Sequence, residues 1–191
     1  MRALVQGLSR TASKFLNLLF ELCWLMPVHV ADDERILRAI YSPYHLDKKN
    51  NLKHQAYDPT PRTDEVSVMR LEHMGAVLCK RRAKSIENPA QRKAYRGFAV
   101  LRTRSVRASQ LEVADSRENY SGHADIKFLL AELKAREPGE PLTPEAQKKF
   151  KDMKDALLLA SNYMPDPNPQ TASWQGGKLE PPRVFHQSAR A

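Results

Sequence analysis

Gly97-Phe98-Ala99-Val100-Leu101 is an unbroken apolar run with Arg96 before it and Arg102 after it. Five residues are too short for a buried helix. The β-branched and aromatic content suits a strand buried on both faces, so the run reads as the central strand of a sheet. Working outward, Val66-Ser67-Val68-Met69-Arg70 alternates in character and reads as a second short strand. Leu111-Glu112-Val113 and Ala124-Asp125-Ile126 read as two more. Helical spacing covers Met74 to Lys84 and roughly Lys127 to Arg136. Thr143-Pro144-Glu145 supplies a cap residue, a proline at the first helical position and an acid in the first turn, so a helix should run from there to about Asn162.

Upstream, Asp32, Asp33 and Glu34 place acids where a helix N-terminus favours them. Ile36, Leu37 and Ile40 then fall on one side at helical spacing, so residues 32–42 are expected to be an amphipathic helix ended by Pro43. Residues 44–65 are polar, with Lys48-Lys49-Asn50-Asn51 and Pro59-Thr60-Pro61, and read as a long ordered loop. The expected fold is therefore α+β: a small sheet of three to five short strands covered by helices, with an N-terminal amphipathic helix and a Pro-rich C-terminal tail. The divisions expected are 1–26 as helix or extension, 27–136 as the α+β core, 137–164 as a C-terminal helix and 165–191 as an extended tail.

Residues 3–26 carry Leu4, Leu8, Phe15, Leu18, Leu19, Leu22 and Met26 at three- and four-residue steps, and Arg2, Arg10 and Lys14 precede the first acid, Glu21. This segment reads as an amphipathic helix packed on the domain or on a protein partner, as an organelle presequence, or as a secretory signal. The last fits least, because Asn17 and Glu21 interrupt the apolar core. The same interruption rules out a membrane span. A chain starting at Met26 would leave the first 25 residues outside the fold. Two cysteines among 191 residues, Cys23 and Cys79, suit reduced thiols and a cytoplasmic location.

From about residue 32 to 126 the chain resembles short bacterial open reading frames. These share an acidic lead, a basic polar loop, strands like Val66-Ser67-Val68-Met69-Arg70 and Gly97-Phe98-Ala99-Val100-Leu101, and an ending like Gly122-His123-Ala124-Asp125-Ile126. Such frames begin near the position of Met26. The resemblance implies a bacterial origin and one compact module, and brings no activity with it.

The strongest chemical feature is basic. The net charge is +9. Between Lys80 and Arg107 stand Lys80, Arg81, Arg82, Lys84, Arg92, Lys93, Arg96, Arg102, Arg104 and Arg107, against the single acid Glu87, so this block accounts for the whole excess. Clustered Lys and Arg bind polyphosphates by releasing counterions, and Arg adds bidentate phosphate contacts. The expected function is a basic accessory protein that contacts nucleic-acid phosphates, DNA or RNA, within a larger bacterial assembly. A solvated basic face is the plain alternative. No zinc-finger spacing, aromatic RNA-binding signature or basic zipper accompanies the block.

A second constellation is His123 and Asp125, which share a face if 122–126 is a strand. With Ser67 as nucleophile and Arg70 as anion stabiliser they would make a small hydrolase or nuclease, and otherwise a hydrogen-bonded pair at a strand end. A third reading is an interaction module that docks through its N-terminal helix. No cofactor and no metal are expected: His45, Asp47, His54 and Asp58 share the polar loop without the tight ligand pairs of a zinc site. Tyr41, Tyr44 and Tyr57 flank that loop and either stack on bases or wedge the loop against the core.

Overall fold

The computed structural model describes residues 27–60, 63–135 and 140–182. One six-stranded antiparallel sheet organises them: β1 (Arg35–Ser42), β2 (Glu65–Arg70), β3 (Ala94–Arg102), β4 (Glu112–Asp115), β5 (His123–Lys127) and β6 (Asn162–Pro165). The order across the sheet is β4-β5-β2-β1-β3-β6. The helices are α1 (Leu71–Ser85), α2 (Thr103–Ala108), α3 (Ala131–Ala135) and α4 (Pro144–Ala160). The α+β expectation holds, with six strands rather than three to five. Residues 3–26, where an N-terminal helix was expected, lie outside the described residues.

The segment expected to be a helix from Asp32 is instead β1. Ile36 and Ile40 face one side with Val66, Val68, Ala99 and Leu101, while Leu37, Ala39 and Tyr41 face the other with Met69, Phe98 and Val100. A strand buried on both faces is apolar at adjacent positions, and Ile36, Leu37 and Ile40 then imitate a helical stripe. Burial between two layers decides the outcome.

The first face of the sheet is covered by α2, α3 and α4, with Val106, Leu133, Met153 and Leu157 reaching the core. Thr143 caps α4 through Oγ1, which accepts from Ala146 N at 3.3 Å. The second face is covered by α1, through Leu71, Cys79 and Ala83, and by the chain after β6. Helix α1 is interrupted at Gly75, whose φ of 71° only glycine adopts without strain. A bulge in the β1–β3 ladder at Ile40/Tyr41 brings Gly97 under β6. A Cβ there would overlap the Met164 carbonyl and lie 2.9 Å from Asp166 N, so the approach of β6 requires glycine.

Beyond β6 the described chain stays on the fold. Leu179 is buried, and Trp174 packs on Phe98 with ring centroids 5.6 Å apart. Lys80 on α1 pairs with Asp166 at 2.8 Å, both side chains fully buried. Its ammonium also donates to the carbonyls of Asn168 (2.8 Å) and Ser173 (2.8 Å) and contacts Thr171 Oγ1 at 3.1 Å. Lys84 donates to the Pro169 and Gln170 carbonyls at 2.7 and 3.0 Å. Two lysines one helical turn apart thus fasten residues 166–173, a stretch that its composition alone marks as a tail. No helix among the described residues is long and apolar enough to cross a membrane.

Candidate functional site: a cationic cleft

The strand period places His123, Asp125 and Ser67 on the second face, with Ser67 in register opposite Asp125. Arg70 lies on the first face, with Val66 and Val68. Its fully buried guanidinium is held there by Glu34 (2.8 Å) and Asp115 (2.7 Å), by the Pro27 and His29 carbonyls at 2.7 and 3.3 Å, and by a 3.1 Å contact with His73 Nε2. Arg70 therefore ties the lead into β1 to the end of β4, across the sheet from His123. Burial opposes the Arg70 charge, but the two carboxylates outweigh it and raise its pKa.

His123 Nε2 lies 3.7 Å from Asp125 Oδ1, while Nδ1 lies 2.6 Å from Ser116 Oγ and 3.3 Å from Asn119 Nδ2. The Tyr120 ring covers the imidazole at 4.5 Å. Ser116, His123 and Asp125 are all buried, so Nδ1 is engaged by the 116–119 turn while Nε2 faces Asp125 beyond hydrogen-bond distance. The geometry fixes the 116–123 turn to the end of β5. Ser116 was not singled out in the sequence, because it reaches His123 from the far side of that turn.

The ten basic residues divide into groups. The β1–β3 register sets Ala94 opposite Ser42 and Arg102 opposite Arg35. Arg92–Arg96 and Arg102–Arg107 are therefore at opposite ends of the pair, roughly 25 Å apart at about 3.4 Å per residue. At the Arg35 end, Arg102 donates to the Asp33 carbonyl at 3.0 Å, and Arg107 pairs with Asp32 and donates to the Val30 carbonyl at 2.7 Å. Arg104 is exposed there. Lys80 and Lys84 hold the C-terminal segment. Tyr41, next to Ser42, donates its hydroxyl to the Ala83 carbonyl at 2.8 Å, which sets the last turn of α1 toward this second end; there Arg81, Arg82 and Arg92 are exposed, Arg82 lying over the Tyr120 ring at 4.3 Å. Arg96 is exposed in the bulge.

This second end opens into a cleft of about 690 Å³, lined by Arg38, Tyr44, His45, Lys53, Asp58 and Lys93 among others. Its origin lies in the sheet. β1 and β2 pair in register only at Ile36–Arg70 and Leu37–Met69, and Arg38 is the next residue. Its Nε donates to the Ala56 carbonyl and its Nη1 to the Ser67 carbonyl, each at 2.9 Å. The guanidinium thus occupies the place of missing ladder bonds. Carbonyls orient it without neutralising it. Asp125, the carboxylate acting on it electrostatically, lies beyond ion-pair distance.

Lys93 Nζ sits 4.6 Å from the Tyr41 ring centroid, a cation–π contact with no carboxylate. Burial and then Arg38 push its pKa down. Lys53 Nζ donates to the Pro43 carbonyl at 2.9 Å. His45 is buried, and that burial, reinforced by Arg38 and Lys93, pushes its pKa down to about 3, so the ring is neutral at physiological pH. Its Nδ1 accepts from Tyr41 N at 3.3 Å. Asp58, the acid of the lining, is paired with Lys154 at 2.8 Å. Net positive charge therefore remains in the cleft.

Of these residues the sequence pointed to Lys93 through the basic block, to His45 and Asp58 as metal-ligand candidates, and to Tyr44 as a stacking candidate. No grouping of His, Cys, Asp and Glu suited to a metal occurs among the described residues. Arg38 was missed because a helix would have put it on a solvent face. Its signal was a charge in the middle of Arg35-Ile36-Leu37-Arg38-Ala39-Ile40. Comparison with known protein families, with characterised proteins and with solved structures matches this chain to none of them.

Proposed function

We propose that the protein is a nucleic-acid-contacting module that grips backbone phosphates at the Ser42 end of its sheet, through Arg38, Lys53, Arg81, Arg82, Arg92 and Lys93. One observation carries this reading: no carboxylate among the described residues lies within ion-pair distance of any of the six. Glu87, the acid of the block, is occupied by Tyr95 N, which donates to it at 2.9 Å. Cations without internal counterions are the groups that gain from phosphate, because their own condensed anions are exchanged for it. The heads are spread over a helix end, a turn and a cleft, with no helix among the described residues presented for a groove, which suits contact without base readout.

The test is retention of duplex and single-stranded oligonucleotides across a salt series. Affinity should fall linearly on a log–log scale, with a slope of about −0.9 per phosphate for duplex and about −0.7 for single strands. Absence of binding at low salt would overturn the proposal. The reading of His123 and Asp125 as the acid–base pair of a small hydrolase rests on the 2.6 Å Ser116–His123 contact beside Asp125. Hydrolysis of phosphodiester or ester substrates tests it.

A further inference from the structure

The geometry points to a narrower role for the cleft itself: we infer that it binds a terminal phosphomonoester, with the attached nucleoside lying against Tyr44. The inference refines the nucleic-acid reading where the phosphate is a chain end, and stands apart from it where the ligand is a free mononucleotide.

Arg38, Lys53 and Lys93 line one recess, and each is oriented by neutral groups: two backbone carbonyls, one carbonyl and an aromatic ring, respectively. Arg38 Nη2 donates to nothing among the described residues, although the Nε and Nη1 bonds have already fixed the plane of its fork. A guanidinium so fixed loses little freedom on meeting two oxygens of one phosphate. The anion also relieves the mutual repulsion of Arg38 and Lys93, which adds to burial in lowering the Lys93 pKa.

Charge and size narrow the ligand. A phosphomonoester carries about −1.5 to −2 at neutral pH and presents three acceptor oxygens, where a carboxylate or a phosphodiester carries a single charge. Three cations, with Asp58 paired off by Lys154, favour the dianion. His45, neutral in this range, adds no charge of its own. The recess of about 690 Å³ is far larger than a phosphate, leaving room for a sugar and base. Tyr44 is 45 % exposed on the lining, and its hydroxyl donates to the Gln91 carbonyl at 2.7 Å, which steadies the ring as a stacking surface.

The experiment titrates the full chain, by calorimetry and by amide NMR, with adenosine 5′-monophosphate, adenosine, inorganic phosphate, and one oligonucleotide bearing either a 5′-phosphate or a 5′-hydroxyl. Adenosine 5′-monophosphate should shift the Tyr44, His45 and Lys93 amides and bind about tenfold or more tightly than adenosine, since charge-assisted hydrogen bonds disappear with the phosphate. Lys93→Gln should weaken it about tenfold, and Tyr44→Ala, a change at an exposed ring, should weaken it less than Lys93→Gln. Preference for the 5′-phosphorylated oligonucleotide with no mononucleotide binding assigns the phosphate to a chain end. Tighter binding of adenosine 5′-monophosphate than of adenosine, with the two oligonucleotides alike, assigns it to a free nucleotide, and the backbone reading then rests on the salt slope of the 5′-hydroxyl oligonucleotide. The inference is overturned if adenosine matches its phosphate and the two oligonucleotides also bind alike, or if Lys93→Gln weakens neither the mononucleotide nor the 5′-phosphorylated oligonucleotide. Salt-dependent binding of the 5′-hydroxyl oligonucleotide would then leave the backbone reading standing alone.

Discussion

Lys80 lies in the middle of the basic block, yet its charge is spent inside the protein, and Lys80→Met separates a structural role from a binding one. The methionine keeps the length of the stem and removes the ammonium. Asp166 then remains fully buried without its counter-charge, and the Asn168 and Ser173 carbonyls lose their donor. Breaking a buried pair from one side costs about 3–5 kcal/mol. For a chain of this size about 1 kcal/mol moves Tm by about 2–4 °C, so a fall of roughly 6–20 °C is expected. Thermal and urea unfolding measure it. The double variant Lys80→Met/Asp166→Asn should recover part of the loss, because no uncompensated charge is left. Its new amide also retains an oxygen for Asn168 N, which donates to Asp166 Oδ1 at 2.9 Å in the native protein. The salt slope of oligonucleotide binding should not change. A midpoint shifted by less than about 2 °C, together with a slope reduced by about 1, would show Lys80 working at the surface and would refute this reasoning.

Acid should weaken the fold through His45. Its folded pKa of about 3 lies below the ordinary value of 6.5, so the unfolded state binds the proton first and stability falls as pH drops from 6.5 towards 3, by about 2 kcal/mol at pH 5. His45→Gln should flatten that limb in urea titrations at pH 7 and 5; an unchanged difference would contradict the assignment. His123→Ala should cost about 1–3 kcal/mol by stranding the buried Ser116 hydroxyl, with oligonucleotide affinity unchanged. A loss of about 10²–10⁴-fold in a hydrolytic turnover, at unaltered stability, would instead make His123 an acid–base group.

How far the sequence discloses this molecule depends on whether an element's pattern has one physical cause. β2 and β5 are legible because each alternates with a single period, α4 because it opens on a cap with a defined geometry, and β3 because its five consecutive apolar residues are too few for a buried helix. β1 is not, because burial on two faces superimposes two alternations and yields a helix-like stripe. The chain from Asn162 to Pro182 is Pro- and Gly-rich, and a few contacts hold it: the β6 ladder, Lys80 to Asp166, Trp174 to Phe98 and the burial of Leu179. None of these has a local signature. The His123–Asp125 face is legible from strand period alone. The cleft is not: Arg38 and Lys93 are brought together by β1–β3 pairing, and the reason Arg38 is free of acids is a ladder that stops after Leu37–Met69. The basic block shows the converse. Contiguity in sequence put ten cations in one segment, and an extended strand then carried them to opposite ends of the sheet.

The central claim, that phosphate is gripped at the Ser42 end, is tested most directly by the salt dependence of oligonucleotide binding in two variant proteins. One carries Arg81→Ala, Arg82→Ala and Arg92→Ala, and the other carries Arg102→Ala and Arg104→Ala at the far end. The first should lower the log–log slope by about 1 for each phosphate no longer neutralised, while the second leaves it at the wild-type value. Equal slopes in both variants, or a reduction confined to the second, would contradict the account.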